Sequence, residues 1–351
     1  MTSAFELIVV LVPGSGARTQ SGGLGVSLQA ARLLQQLRPT EVVTYRYRQQ
    51  GYTFIDDILG KCSKLNKILW IVSWGFDAPD LFRKLKDQCV AYYAHSCGYG
   101  FNLPLGIPVF AVSRNTLGYW GDRSPRNPLF LLPNALESKW IQKGVRNKHE
   151  LNGDSRSIDV LVQKRKTSSY VLNKLVPALR SKGLRVEVQS GWVEDLVDLF
   201  NSSTVYLYDS ADYWKSHGLS EGFGLPPFEA LACGCVVFTS FNHALADLLI
   251  PGETAHQIGR GSLEYDVSRI LKAVAKPSLW RMEVTQLNFF LDQLSESSQL
   301  KRWSSILLEI EDPSFPLWRG ECFLRSPSKV ELFLKTNLKR ILKLVFRNIN
   351  N

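Results

Sequence analysis

Residues 204–240 read TVYLYDSADYWKSHGLSEGFGLPPFEALACGCVVFTS, and how this stretch divides into elements decides the fold. TVYLYDS is an apolar, aromatic and β-branched run that predicts a strand, and CVVFTS predicts another. Between them, residues 220–234 (SEGFGLPPFEALACG) set Glu221 and Glu229 around two glycines and two adjacent prolines. Gly222 and Gly224 suit a backbone that approaches a ligand closely or takes a positive φ. Pro226 and Pro227 suit the first turn of a helix, where a missing N–H costs nothing, and Gly234 suits its C-terminal stop. The predicted helix is PFEALAC, with Glu221 in the loop ahead of it and Glu229 in its first turn. The helix mouth carries the positive end of a dipole and attracts phosphate, and carboxylates beside it accept hydrogen bonds from sugar or ribose hydroxyls. The pair therefore reads as a sugar-nucleotide cradle. The plainer alternative leaves Glu229 complementing the dipole and Glu221 as a solvated loop acid.

The pattern around this stretch repeats. In the first half, FELIVVLV (5–12), EVVTYRY (41–47), KILWIVSW (67–74), CVAYYAH (89–95) and IPVFAVS (107–113) alternate with helical segments such as GVSLQAARLLQQL (25–37). A polar stretch at 143–157 then reads as a linker, after which IDVLVQK (158–164), LRVEVQSG (184–191), TVYLYDS and CVVFTS form a second alternating run. Such alternation predicts βαβ units, parallel sheets and ligands at the carboxyl ends of the strands. The expected organisation is two doubly wound α/β domains, 1–150 and 151–325, followed by a basic amphipathic helix at 326–351.

Composition narrows the classes. A chain of 351 residues with 45% hydrophobic content can bury two cores. The net charge of +10 favours anionic partners. Six scattered cysteines without a C-x-x-C pair, and five histidines without ligand-like spacing, point to neither zinc nor a disulfide framework, so a reduced cytosol is expected. The N-terminal apolar run is too short for a membrane span and reads as a strand.

The string 220–234 closely resembles the E-x7-E motif of retaining, nucleotide-sugar-dependent glycosyltransferases of the GT-B fold, the family-four type. GGLG (22–25), AVSRN (111–115) and LLPNALE (131–137) resemble further segments of that family in the same order. The resemblance implies two facing Rossmann-like domains, with acceptor bound mainly by the first and donor mainly by the second. It also implies that Glu229 binds the ribose hydroxyls and that Glu221 contacts the donor sugar at the transferring centre. Gly222, Phe223, Gly224 and Leu225 would supply backbone contacts, and no metal or other cofactor would be obligatory.

A leaving diphosphate needs fixed cations. Lys164 and Arg165, in DVLVQKRKTSS, are the expected phosphate ligands, although the family spells this segment differently and Lys166 lies beside them. His95 sits at the end of a predicted strand, where the resemblance gives a histidine close to the sugar, as a second catalytic candidate. Gly22, Gly23 and Gly25 open a predicted helix and could meet phosphate or acceptor, though such turns also serve plain packing. Asp209 and His217 flank the E-x7-E loop and are expected at its surface.

The tail KVELFLKTNLKRILKLVFRN groups Leu334, Leu338, Ile341, Leu342 and Val345 on one face, with lysines and arginines largely elsewhere. It suits either an anionic membrane surface or docking on the protein itself. The expected function is thus sugar transfer to a hydroxyl of a glycan or lipid-linked glycan, in the cytoplasm or on the inner face of a membrane. A sugar-nucleotide epimerase and a non-catalytic nucleotide-sugar binder are the alternatives. A nucleic-acid partner is not expected, since the basic residues are dispersed.

Overall fold

The computed structural model describes residues 5–16, 22–60, 67–146, 156–259, 262–312, 314–315, 330, 333–334 and 337–338. The first half gives β1 (Leu7–Val12), α1 (Gly22–Leu34), β2 (Thr40–Thr44), β3 (Thr53–Phe54), α2 (Ile55–Leu59), β4 (Ile68–Val72), α3 (Ala78–Lys84), β5 (Cys89–Ala94), β6 (Val109–Ala111), α4 (Arg114–Arg123), β7 (Leu129–Leu131) and α5 (Ser138–Lys143). The second gives β8 (Ile158–Gln163), a π-helical turn at Val171–Leu175 running into α6 (Val176–Ser181), β9 (Val186–Gln189), α7 (Leu196–Asn201), β10 (Ser203–Tyr208), α8 (Ala211–His217), α9 (Leu225–Ala232), β11 (Val236–Thr239), α10 (Ala244–Leu248) and β12 (His256–Gln257). After these come α11 (Leu263–Ala275), α12 (Val284–Asp292) and α13 (Glu296–Ile310).

Both sheets are parallel. The first has the order β3-β2-β1-β4-β5-β6-β7 and the second β12-β11-β10-β8-β9. Helices cover both faces, which is why the central strands are nearly continuous apolar runs: LIVVLV in β1, ILWIV in β4 and STVYLY in β10, almost every residue of them buried. Strand order reverses between β1 and β4 in one sheet and between β8 and β10 in the other. Ligand-binding crevices form beyond the carboxyl ends of strands at such reversals.

The linker ends are clasped to the second sheet. The buried Arg156 guanidinium donates to the carbonyls of Ser203, Cys233 and Val145, and Arg146 donates to the carbonyl of Ala232.

Within 151–325, α13 crosses back to pack on the first sheet. Trp303 meets Tyr93 and Phe110 edge to face, Gln299 donates to the Pro133 carbonyl at 2.9 Å, and Glu296 takes hydrogen bonds from Gln29 and Ser138. This helix ties the two halves together. Of the expected tail helix, Val330, Phe333, Leu334 and Leu338 are described, helical and exposed, while Ile341, Leu342, Val345 and their neighbours lie outside the described residues.

Candidate active site

Loops from the carboxyl ends of both sheets enclose a cleft of about 970 Å³, a size typical of sites for nucleotide-sized ligands. One wall is formed by Gly22 and Gly23 after β1, residues 73–76 after β4, and His95, Ser96 and Tyr99 after β5. The other is formed by residues 163–166 after β8, 189–193 after β9, and the segment from Tyr208 to Glu229.

Glu221 lies on the floor of this cleft, 4% exposed. Its Oε2 accepts from the Tyr208 hydroxyl at 2.6 Å and from the Trp214 indole N–H at 2.7 Å, while Lys166 Nζ stands 3.6 Å from Oε1. Burial first, and then the charge of Glu221, push the Tyr208 hydroxyl well above its ordinary range, so it stays a donor. Lys166 also sits over the Trp214 ring, 4.3 Å from its centre. Burial lowers its ammonium pKa, opposed by the Glu221 charge. These contacts fix the carboxylate in one orientation.

Among the described residues, Lys166 and His243 are the two non-glycine positions with positive φ, at 68° and 51°. Both touch Glu221: Lys166 faces its carboxylate, and His243 Nδ1 accepts its main-chain N–H at 3.2 Å. Such backbone costs energy and persists where surrounding structure enforces it. Here both strained residues converge on the same acid.

The two halves meet directly behind Glu221. A Cβ built on Gly222 would fall 1.6 Å from the His95 carbonyl oxygen, so no other residue fits there. Ser96 Oγ donates to the Ser220 carbonyl at 2.7 Å, and the Cys97 N–H donates to Ser220 Oγ at 3.1 Å. Further along the seam, Asp247 accepts the N–H of Asn115 at the start of α4. On the first-half side of this seam the His95 ring packs at a tilt against Tyr93 with 4.2 Å between centres, its Nε2 buried without a hydrogen-bond partner. Burial pulls its pKa down to about 4, so the ring is neutral at pH 7.

The E-x7-E segment folds with α9 starting at Leu225 and Pro226 and Pro227 in its opening turn, preceded by Gly224 at φ 82°. Glu229 therefore lies one turn into the helix and not in its first turn. It still lines the cleft. Burial and, secondarily, the Glu137 carboxylate push its pKa up to about 8, against the pull of Lys139.

The expected donor-side residues Gly222, Phe223, Gly224 and Leu225 all line the cleft. Lys164 and Arg165 line it as well, but as exposed residues on the rim. The cation that reaches the carboxylate is Lys166, because the positive φ at that position turns its side chain inward. Gly22 and Gly23 line the opposite wall, whereas Gly25, exposed with nothing within 4 Å of an added Cβ, is not among the residues lining the cleft. Helical phase explains this, since Gly25 lies about 200° round α1 from Gly23, whereas Val26, about one turn from Gly22, lines the cleft. Asp209 binds Ser168 Oγ at 2.6 Å, and His217 caps its own helix against the Tyr213 carbonyl; neither lines the cleft.

Tyr208, Trp214 and His243 escaped the sequence reading. The first two fall where a strand end and a loop were expected, and a seven-residue helix, α8, instead presents Trp214 to Glu221. Among the described residues no three His, Cys, Asp or Glu side chains converge as a metal site.

Residues 180–281 match the family described as glycosyl transferases group 1. This segment is a glycosyl transferase group 1 domain. It contains both glutamates, α8, α9 and His243. The fold agrees over nearly the whole chain. Sucrose-phosphate synthase from Thermosynechococcus elongatus superposes with a TM-score of 0.62 at 13% identity, covering 87% of this chain and 99% of that one. A glycosyltransferase from Rickettsia africae superposes with 0.63 at 12%, covering 88% and 100%. Anabaena HepE, in complex with UDP and glucose, superposes with 0.57 at 12%, covering 86% and 99%. The architecture is therefore GT-B, two facing Rossmann-like halves, and the family match at 180–281 makes the protein a glycosyltransferase. No curated protein matches the sequence.

Proposed function

We propose that this glycosyltransferase transfers a sugar from a nucleoside diphosphate to a hydroxyl of a glycan or lipid-linked glycan, with retention at the anomeric carbon. The observation that carries this reading is the fixed Glu221 carboxylate, held by Tyr208, Trp214 and Lys166 at the mouth of α9 and backed through Gly222 onto His95.

In this reading the diphosphate lies toward Lys164, Arg165, Lys166 and the amino end of α9, where fixed positive charge meets the charge that develops as it departs. Glu229 accepts ribose hydroxyls, and Glu221 accepts a donor-sugar hydroxyl on the face opposite its Trp214 bond. His95, neutral because its pKa is near 4, is a weak base toward an alcohol but offers Nε2 for a hydrogen bond to the sugar. The proton therefore goes elsewhere. The acceptor oxygen bonds to the anomeric carbon on the side from which the diphosphate leaves, the anomeric carbon–oxygen bond breaks, and the hydroxyl proton passes to the departing phosphate oxygen. Attack on that same side gives retention. No metal takes part in this scheme, and a chelator is expected to leave turnover unchanged.

No helix among the described residues is long and apolar enough to cross a membrane. The exposure of Phe333, Leu334 and Leu338, at 68%, 52% and 55%, in a segment that carries Lys335, Lys339 and Arg340, favours a peripheral, anionic membrane surface on the cytoplasmic side.

The test is a panel of UDP-, GDP- and ADP-sugars, followed by thermal shift and free-nucleotide release, with the wild type and Glu229→Ala. One donor is expected to stabilise the wild type and to be hydrolysed slowly, and the variant to do neither. Failure of every nucleotide sugar to bind would sink the proposal.

A further inference from the structure

Phe76 is 73% exposed, yet it lies in the cleft wall and not on the outer surface. Its ring meets Tyr99 edge to face with centres 4.9 Å apart. Tyr99 in turn rests on Gly75, where an added Cβ would come within 2.3 Å of the phenol ring. Behind it, Phe101 stacks on Tyr99 and packs edge to face on the buried Tyr92. An exposed ring is thus anchored through a chain of aromatic contacts into the core of the first half. The loop that carries Tyr99 is also tied to the reacting centre, since its Ser96 Oγ donates to the carbonyl of Ser220, the residue before Glu221.

Packing does not account for the position of Phe76, because it lines the cleft with nearly three quarters of its surface open to solvent. The geometry points to Phe76 and Tyr99 as a stacking platform for the acceptor, and to that acceptor being a pyranose. This rests on the glycosyl-transfer reading of the cleft. The platform stands on the wall opposite Glu221, on loops after β4 and β5. A ring face is electron-rich and apolar, and it pairs with the polarised C–H face of a sugar while the hydroxyl edge stays with polar neighbours. Those neighbours are present: Ser73, whose Oγ lies 3.1 Å from Ser27 Oγ, and Asn134, which accepts from the Tyr93 hydroxyl, both line the same cleft. An alkyl chain would need a continuous apolar groove. One exposed ring flanked by hydroxyl and amide groups fits a saccharide better.

Saturation-transfer NMR on the full chain tests this with methyl β-glucopyranoside, methyl β-galactopyranoside, methyl α-mannopyranoside and octyl β-glucopyranoside. Each is measured without nucleotide and again with whichever of UDP, GDP or ADP raises Tm. At least one methyl glycoside is expected to receive saturation on its ring protons, with binding about three- to tenfold weaker in Phe76→Ala and kept in Phe76→Trp. Nucleotide binding and Tm are expected to be the same in all three proteins, because Phe76 is exposed and distant from the donor wall. Absence of ring saturation from every sugar in the wild type would overturn the proposal, as would a signal indifferent to Phe76→Ala. Saturation confined to the octyl chain and lost in Phe76→Ala would overturn it in favour of a lipid occupant. If no nucleoside diphosphate binds while the Phe76-dependent sugar signal persists, the donor reading fails and the platform stands.

Discussion

Lys166 and Glu221 face each other at 3.6 Å on the floor of the cleft, with 23% and 5% of their side-chain surfaces exposed. Neither charge is well hydrated, and each lowers the cost of burying the other. Lys166→Met keeps the stem over Trp214 and removes the charge, while Glu221 retains its bonds to Tyr208 and Trp214. Glu221 is left buried without its counter-ion, so Tm is expected to fall by several degrees even though both hydrogen bonds remain. Transfer is expected to fall about a hundredfold, because a fixed cation no longer meets the leaving diphosphate. Steady-state kinetics beside a melting curve would show it; unchanged kcat/KM would remove Lys166 from the reaction.

His243 allows the strain itself to be tested. Its φ of 51° and ψ of −124° suit glycine, and its ring accepts the Glu221 N–H. His243→Gly relieves strain of order 1–3 kcal/mol against roughly 0.5–1 kcal/mol of extra chain entropy. The expected outcome is a Tm equal to or above that of the wild type with kcat about tenfold lower. A protein that melts several degrees earlier but turns over normally would make His243 a purely structural residue.

These two residues also mark how far the sequence could be read. Short apolar runs alternating with helical segments, with Gly/Pro punctuation, were enough for two parallel sheets, and SEGFGLPPFEALACG was enough for the mouth of α9. Phase along a helix was also in principle readable, and it is what separates Gly25 from Gly23. What could not be read was the turn of a single backbone angle that makes Lys166, and not Arg165, the inward cation. Nor could the loop between Tyr208 and Glu221 be seen to coil into α8, because Tyr213 and Trp214 have no helical periodicity of their own and are placed by what they touch, the Glu221 carboxylate and the Lys166 ammonium. The return of α13 to the first sheet is likewise a long-range contact that leaves no local signal.

Two glycines separate steric need from local convenience. Gly222→Ala sets a methyl group against the His95 carbonyl, backbone against backbone, and cannot be absorbed by a side-chain rotation. The two halves must then separate at the point where His95 faces Glu221, and activity is expected to vanish with a lower Tm. Gly25→Ala meets nothing within 4 Å inside α1 and is expected to stabilise by roughly 0.5–1 kcal/mol with transfer unchanged. Melting and turnover of the two variants side by side check both. Activity surviving in Gly222→Ala would show that the closed seam is not needed for reaction.

Glu229 links nucleotide binding to pH. Its carboxyl is raised from an ordinary value of 4.5 to about 8, chiefly by burial. The folded state thus keeps a proton that the unfolded chain has released, so the native protein binds more protons between those values and its stability falls as pH rises through that window. A carboxyl group that accepts two ribose hydroxyls must be ionised, so binding of nucleoside diphosphate at pH 7 expels the proton. Calorimetric binding enthalpies in buffers of different ionisation enthalpy are expected to show release of about one proton at pH 7. The release should fade well above pH 8. Glu229→Gln is expected to release none, to bind the nucleotide more weakly, and to lose the decline of stability between pH 5 and 8. Equal proton release by wild type and variant would detach Glu229 from the ribose and leave it a buried acid of the helix.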